Sequence, residues 1–298
     1  MSERPEATMP DLSCLKAREY KLLLKPERFA WPPDGDQANA FLDDLRSNLN
    51  ASLPKVQIRK WFAPLEPRRV SFWDTKSHHL YAAGYSLRRR SSLSKEGATF
   101  DSDELTLKLR TPDLFIALGT TLAAQDDAAR LKLEEDIAPL EVAAVGPAGE
   151  TFVAIAEQRS IRSRWALSAS RALLPDEAPH GLNDLHALFE STARYLPVID
   201  ELGSPMIQGR AIEEHVFKGP TIDFADDYQG SLCLTLWNRV DDPSKVFVAE
   251  VSFRCDLMKG EMPAKVARRA LDLFVMMQNA QQRWINTVQS SKTLLALP

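Results

Sequence analysis

Residues 84–90, Gly-Tyr-Ser-Leu-Arg-Arg-Arg, and 104–110, Glu-Leu-Thr-Leu-Lys-Leu-Arg, decide how this chain is read. In an extended segment successive side chains point to opposite faces. Ser86, Arg88 and Arg90 then share one face, with Tyr85, Leu87 and Arg89 on the other; Thr106, Lys108 and Arg110 stand opposite Leu105, Leu107 and Leu109. The leucines need burial, so each cationic face is backed by an apolar one. Two geometries satisfy that pattern. In one, the cations are solvated outer faces that also protect a sheet edge. In the other, a barrel keeps a polar interior and is sheathed outside by helices, the reverse of a sheet wrapped around an apolar centre.

Working outward, residues 158–167 add Arg162 and Arg164 on one face, with Trp165 and Leu167 alternating away. The segment 16–25, Lys-Ala-Arg-Glu-Tyr-Lys-Leu-Leu-Leu-Lys, places Ala17, Glu19 and Lys21 on one face and Tyr20, Leu22 and Leu24 on the other. Cations from several strands that meet in a confined space repel one another unless an anion or carboxylates offset them. A polyanionic ligand is the natural partner, since Arg offers a planar fork to phosphate oxygens and Lys a compact point charge. Glu19 and Glu250, isolated carboxylates on strand-like apolar segments, point to a metal or a paired interior.

The remaining pattern gives the organisation. Ala40, Phe41, Leu45 and Leu49 recur at helical intervals over 36–50, after a Trp-Pro-Pro-Asp-Gly turn. Residues 68–75 read as a strand, and 113–136 as helical, with the charged run 126–136 as its solvated face. Further strands are expected at 139–145, 151–167, 211–217, 231–237 and 245–255. A helical patch is expected at about 170–201, broken by Pro175, Pro179 and Pro197. A closing amphipathic helix spans roughly 263–288, its stripe formed by Val266, Ala270, Leu273, Phe274, Met277, Ala280 and Trp284. This helix reads as a cover for the barrel wall. Residues 1–14 read as a flexible lead-in and 15–298 as one domain. The strands follow one another instead of alternating with helices, which disfavours a doubly wound parallel sheet and favours an α+β antiparallel barrel with appended helices.

The chain has 298 residues, with 37 Lys+Arg against 41 Asp+Glu and a net charge of −4. No global basic field exists to gather nucleic acid or an anionic membrane, so an anion site must be local. Three cysteines without ligand spacing argue against a disulfide framework and a Cys-rich zinc site. A reducing, cytoplasmic setting is expected, because no signal-peptide core and no run of about 18 apolar residues occurs. The G-x-G-x-x-G, Walker A and H-E-x-x-H patterns are absent. His78 and His79 read as surface residues, and Asp74 as a strand-end cap.

The stretch 71–90 resembles the hallmark of CYTH domains, the triphosphate tunnel metalloenzymes that include class IV adenylyl cyclases and thiamine triphosphatases. Phe72-Trp73-Asp74-Thr75 is followed, after a turn, by Ala83-Gly84-Tyr85-Ser86-Leu87-Arg88-Arg89-Arg90, with the family's spacing. The 105–110 strand comes next, and Lys108 stands where the family has a substrate-contacting lysine. Of the opening Glu-x-Glu-x-Lys motif, Glu19 and Lys21 are present and Ala17 replaces the first Glu; of the closing Glu-x-Glu, Glu250 is present and Ser252 replaces the second.

The resemblance implies an eight-stranded antiparallel tunnel. Arg88, Arg90, Lys108, Arg110 and Arg162 would clamp a triphosphate-containing small molecule, and Glu19 and Glu250 would hold Mg²⁺ or Mn²⁺, with Glu213 or Glu214 as substitutes. Lys21 and Glu19 are the expected catalytic pair, with Lys21 joining the clamp or orienting water. The implied activity is metal-dependent hydrolysis of a linear triphosphate. A non-catalytic polyphosphate- or nucleotide-binding module and an adenylyl cyclase are the alternatives. No nucleic-acid or membrane partner is expected.

Overall fold

In the computed structural model the described residues are 12–93, 103–122, 130–157, 159–173, 179–189, 204–224, 227–288 and 292–298. The expected lead-in at 1–11, and 174–178 and 190–201 of the expected helical patch, lie outside them.

Nine strands close into a barrel among the described residues: β1 Leu15–Leu24, β2 Arg68–Thr75, β3 Tyr85–Ser92, β4 Asp103–Thr111, β5 Arg130–Pro139, β6 Ile161–Leu173, β7 Ile212–Lys218, β8 Gln229–Arg239 and β9 Asp242–Asp256. Around the barrel the order is β8-β9-β1-β5-β6-β4-β3-β2-β7, and β7 pairs with β8 to close it. The expectation of eight antiparallel strands is corrected in two respects. There are nine, and β1 runs parallel to β5 while pairing antiparallel with β9.

One barrel strand, β5, lies where a helix was expected. Only Leu114–Gly119 is helical within 113–122, and Arg130–Pro139 is extended. Leu, Lys and Glu are good helix formers, and that local preference masks a period-two pattern in which Leu133 and Ile137 are buried outward. Glu141–Val145 and Thr151–Ile155 form a separate hairpin outside the barrel. Residues 170–173 complete β6, and a short helix follows at Leu182–Leu188.

Two apolar layers sheathe the wall. The first packs α1 (Gly35–Ser52) and α2 (Ala264–Ala280) against β1, β8 and β9. Asp34 caps α1, its carboxylate accepting from the Asp36 and Gln37 amides at 3.1 Å each. Phe41, Leu45, Leu273 and Phe274 are buried against Tyr20 and Phe253, whose rings stack at 4.4 Å. The closing helix therefore covers the wall as its stripe predicts, although it ends at Ala280 and Trp284 packs from the turn beyond it. The second layer sets Leu182, Leu185, Leu188 and Phe189 with Leu87, Leu105, Leu107 and Leu109. Burial of each such side chain contributes about 1.5–3 kcal/mol, and it forces the alternate residues of β3 and β4 inward.

The Asp74 and Gly84 positions of the sequence motif are structural. Asp74 is fully buried and accepts from the amides of Thr75 (2.8 Å), Leu80 (2.9 Å) and Tyr81 (3.0 Å), which fixes the turn between β2 and β3. Gly84 has φ +82°, and a Cβ there would stand 2.9 Å from the Arg110 carbonyl oxygen, so only glycine lets β3 start this close to β4.

Candidate functional site

The inward residues line a lumen of about 900 Å³. All eight positions singled out from the sequence, Glu19, Lys21, Arg88, Arg90, Lys108, Arg110, Arg162 and Glu250, face it. Glu213 does not. It points the other way and meets His215 Nε2 at 2.8 Å, while its neighbour Glu214 lines the lumen. Among the described lining residues thirteen are Lys or Arg and seven are Asp or Glu, so the interior carries a net positive charge although the whole chain is acidic.

Asp136 on β5 organises one part of the lumen. Its Oδ1 accepts from Lys21 Nζ at 2.7 Å, and its Oδ2 lies 3.1 Å from Arg110 Nε and 3.4 Å from Lys108 Nζ. Lys21 also reaches Glu19 Oε2 at 2.9 Å. Burial by itself works against all of these charges. Asp136 and Glu19 overcome it at Lys21 and raise that amine above its ordinary value. Burial likewise opposes the Glu19 charge, but Lys21 carries its carboxyl down to about 2. Asp136 is held well below the usual carboxylate range by Lys108, Lys21 and Arg110 against the same opposition.

Lys108 comes out differently. Burial pulls it down, Asp136 only partly offsets this, and Arg110 and Lys21 add repulsion, leaving the amine at about 7. One carboxylate is shared by three cations, and the farthest of them loses.

A second group lies around Glu214 on β7. It is 1% exposed, with Arg68 Nη2 at 2.6 Å from Oε2 and Arg90 Nη2 at 3.5 Å from Oε1. The Trp237 indole N–H donates to Oε1 at 3.1 Å. Burial opposes its charge, and Arg90 and Arg68 outweigh that to hold the carboxyl at about 2.

Arg88 stands apart. It makes no ion pair among the described residues, and its Nε is buried without a hydrogen-bond partner. Burial, then Arg90 beside it, push the guanidinium down to about 9. Arg162 meets Glu141 Oε2 of the outer hairpin at 3.0 Å.

Val70, Phe72, Ile212, Trp237 and Val248 continue, two positions at a time, the lumenal faces of Arg68, Glu214, Thr235 and Glu250, and with Ala296 they form an apolar floor at that end. The segment 292–298 reaches this end. Pro298 O lies 3.0 Å from His78 Nε2, and Lys292 Nζ is 2.6 Å from Glu250 Oε1 and 4.7 Å from the Trp237 ring centre.

Glu134, Asp136, Arg254 and Lys292 also face the lumen and escaped the sequence reading. For Glu134 and Asp136 the signal was present as alternation with Leu133 and Ile137. Arg254, which pairs with Glu134, continues the Glu250 face of β9 two positions at a time. Nothing local in the sequence marks Lys292.

The divalent ion implied by the sequence resemblance does not fit these residues. A shared ion needs oxygens at about 2.0–2.6 Å. On the paired strands Glu19 faces Arg254 and Glu250 faces Leu23, four positions apart, which is about 13 Å of strand. Each carboxylate already holds an ammonium, Lys21 on Glu19 and Lys292 on Glu250. No cluster of three or more metal-ligating side chains occurs among the described residues. Ala17 and Ser252, where the motif has further glutamates, add no carboxylate.

No family model matches the chain, and no curated protein matches it. Solved structures do align with it. One is an adenylyl cyclase candidate from Hippeastrum described as having a dominant triphosphatase activity, at 12% identity and TM-score 0.42 over 94% of each chain. Another is an adenylate cyclase candidate from Bacillus halodurans, at 13% identity and TM-score 0.39 over 94% of this chain and 96% of that one. A third is the PH1819 protein from Pyrococcus horikoshii, at 9% identity and TM-score 0.34 over 93% and 98%. No helix among the described residues is long and apolar enough to cross a membrane.

Proposed function

We propose that the barrel lumen binds a linear triphosphate, either inorganic or as the tail of an organic triphosphate, through Arg88, Arg90, Lys108, Arg110 and Arg162. The observation that carries this reading is Arg88, a half-buried guanidinium whose Nε is buried without a hydrogen-bond partner and which makes no ion pair among the described residues, Glu214 and Glu104 acting on it only from a distance while a second Arg flanks it. A partly desolvated cation without a direct partner is costly, and it is retained where an anion completes it. The wall leaves these side chains only partly exposed, Lys108 at 15% and Arg90 at 24%, and the reduced solvent screening strengthens each charge-assisted contact. A volume of about 900 Å³ suits a small ligand and excludes a nucleic-acid duplex.

Calorimetric titration with tripolyphosphate tests the reading. Binding should weaken steeply with salt. Arg88→Met should lower affinity by roughly 10- to 100-fold, the loss of one hydrogen-bonded charge pair. Undetectable binding to the wild-type protein at low salt would overturn the assignment.

A second reading, hydrolysis of the bound anhydride, is favoured by one observation: Lys108, at about 7, lies 3.4 Å from Asp136 and can exchange a proton near neutral pH. Lys21 and Glu19, the expected catalytic pair, stay cationic and anionic across that range, which suits Lys21 to holding phosphate or orienting water and leaves proton exchange to Lys108. Phosphate release that is lost in Lys108→Ala would support hydrolysis. Cyclic nucleotide formed from ATP would support cyclase chemistry instead.

A further inference from the structure

Lys292 belongs neither to the barrel nor to either covering helix. It precedes a short 3-10 turn, Leu294–Ala296, that is anchored to the lumen floor. Three features fix its ammonium: the 2.6 Å contact to Glu250, the Trp237 face at 4.7 Å, and the seating of Ala296 among Phe72, Ile212 and Val248. Gly209 shapes the same seat, since a Cβ there would stand 2.6 Å from the Ala296 carbonyl oxygen. Glu250 is 12% exposed at its side chain, and removing its partner would leave a nearly buried carboxylate uncompensated.

Resting on the polyanion-binding reading, we infer that Lys292 is a built-in counter-cation: a tethered ammonium takes the place at Glu250 where a divalent ion would sit, so the lumen accepts polyphosphate without metal. An ammonium donates in three directions. With one hydrogen on Glu250, others remain for a phosphate oxygen, much as a bridging ion would join carboxylate and phosphate. The single positive charge cannot match a divalent ion, and the thirteen-to-seven excess of cationic side chains around the lumen supplies the remainder.

The test uses the full chain and two probes. In Mn²⁺ titrations followed by electron paramagnetic resonance without phosphate, wild-type protein should show no lumenal site. Lys292→Met should acquire one, with affinity at least tenfold above background. Lys292→Met combined with Glu250→Gln should lose it, and Lys292→Arg, which keeps the cation and controls for folding, should behave as wild type. In tripolyphosphate titrations with EDTA, wild-type affinity should be unchanged by the chelator. Lys292→Met should bind about tenfold more weakly, with Mn²⁺ restoring much of the loss.

A wild-type Mn²⁺ site abolished by Glu250→Gln would overturn the inference, as would equal Mn²⁺ binding by wild type and Lys292→Met. If tripolyphosphate fails to bind the wild type while the Mn²⁺ pattern holds, the polyanion reading falls and the counter-cation at Glu250 stands.

Discussion

Lys108 should take up a proton when the lumen fills. Among the barrel's own side chains its amine sits at about 7 because burial, Arg110 and Lys21 outweigh Asp136. At pH 8 such a group is roughly one-tenth protonated, and at pH 6 roughly nine-tenths. Phosphate oxygens beside it would return the amine toward its ordinary range near 10.5. Binding at pH 8 should therefore draw about 0.9 proton from solution through this residue, and at pH 6 about 0.1. Affinity follows the same linkage: as the pH rises from 6 to 8, binding should weaken by about tenfold on account of Lys108 alone. Calorimetry in two buffers of different ionisation enthalpy measures the uptake directly. The ligand's own titration adds to the signal, but it adds equally in Lys108→Met, which keeps the stem and removes the amine. The difference between wild type and variant at pH 8 should be close to one proton, shrinking toward zero at pH 6. Equal uptake by both proteins at pH 8, or a difference that grows toward pH 6, would refute the electrostatic account of the three cations sharing Asp136.

Other outcomes follow from the same structure. Glu214 is depressed from an ordinary 4.5 to about 2, so its contribution to stability is present above pH 4.5 and lost as the pH falls through 2. In acid melts Glu214→Gln should be destabilised at neutral pH and show a flatter decline over that window, whereas parallel curves would argue against the pairing with Arg68 and Arg90. Gly84→Ala should lower stability by about 1–3 kcal/mol in urea unfolding, since it combines a positive φ with a Cβ 2.9 Å from a carbonyl oxygen; a neutral result would mean that β3 and β4 part without cost. Phe253→Ala should cost about 3–5 kcal/mol by removing the ring that stacks on Tyr20 and packs near Phe274, with thermal unfolding as the readout.

The parts of this molecule legible in the sequence are those whose alternation is unbroken. Leu105, Leu107 and Leu109 alternate strictly with Thr106, Lys108 and Arg110, although Leu, Lys and Arg are good helix formers, and the direction of Lys108 follows from them. In Arg130–Pro139 the outward face is interrupted by Glu135, which pairs with Arg18 of β1, so the apolar alternation breaks and only tertiary pairing with β1 and β6 marks the strand. The eight-strand count, implied by the family resemblance, gave no hint of it. The site was half legible. Clamp residues on continuous strands could be found by parity, but Lys292 enters the lumen from a segment outside the barrel, and no spacing rule connects it with Glu250. The carboxylates were legible as charges. Their engagement by Lys21 and Lys292, which removes them as metal ligands, depends on where strands separated by most of the chain come to rest.

The parallel seam between β1 and β5 has a consequence for biosynthesis. Glu19 and Lys21 are made more than 200 residues before β9, yet their strand is flanked on one side by β5 and on the other by β9, whose Arg254 lies opposite Glu19. Until the ribosome has released that strand, β1 has an unsatisfied edge and the lumen has no wall there. Contacts so distant in sequence form slowly. A chain that stops short of β9 would thus carry Glu19, Lys21 and the cations of β3 and β4 without a closed lumen around them, and the proposed anion site would be complete only once Asp242–Asp256 has paired with β1.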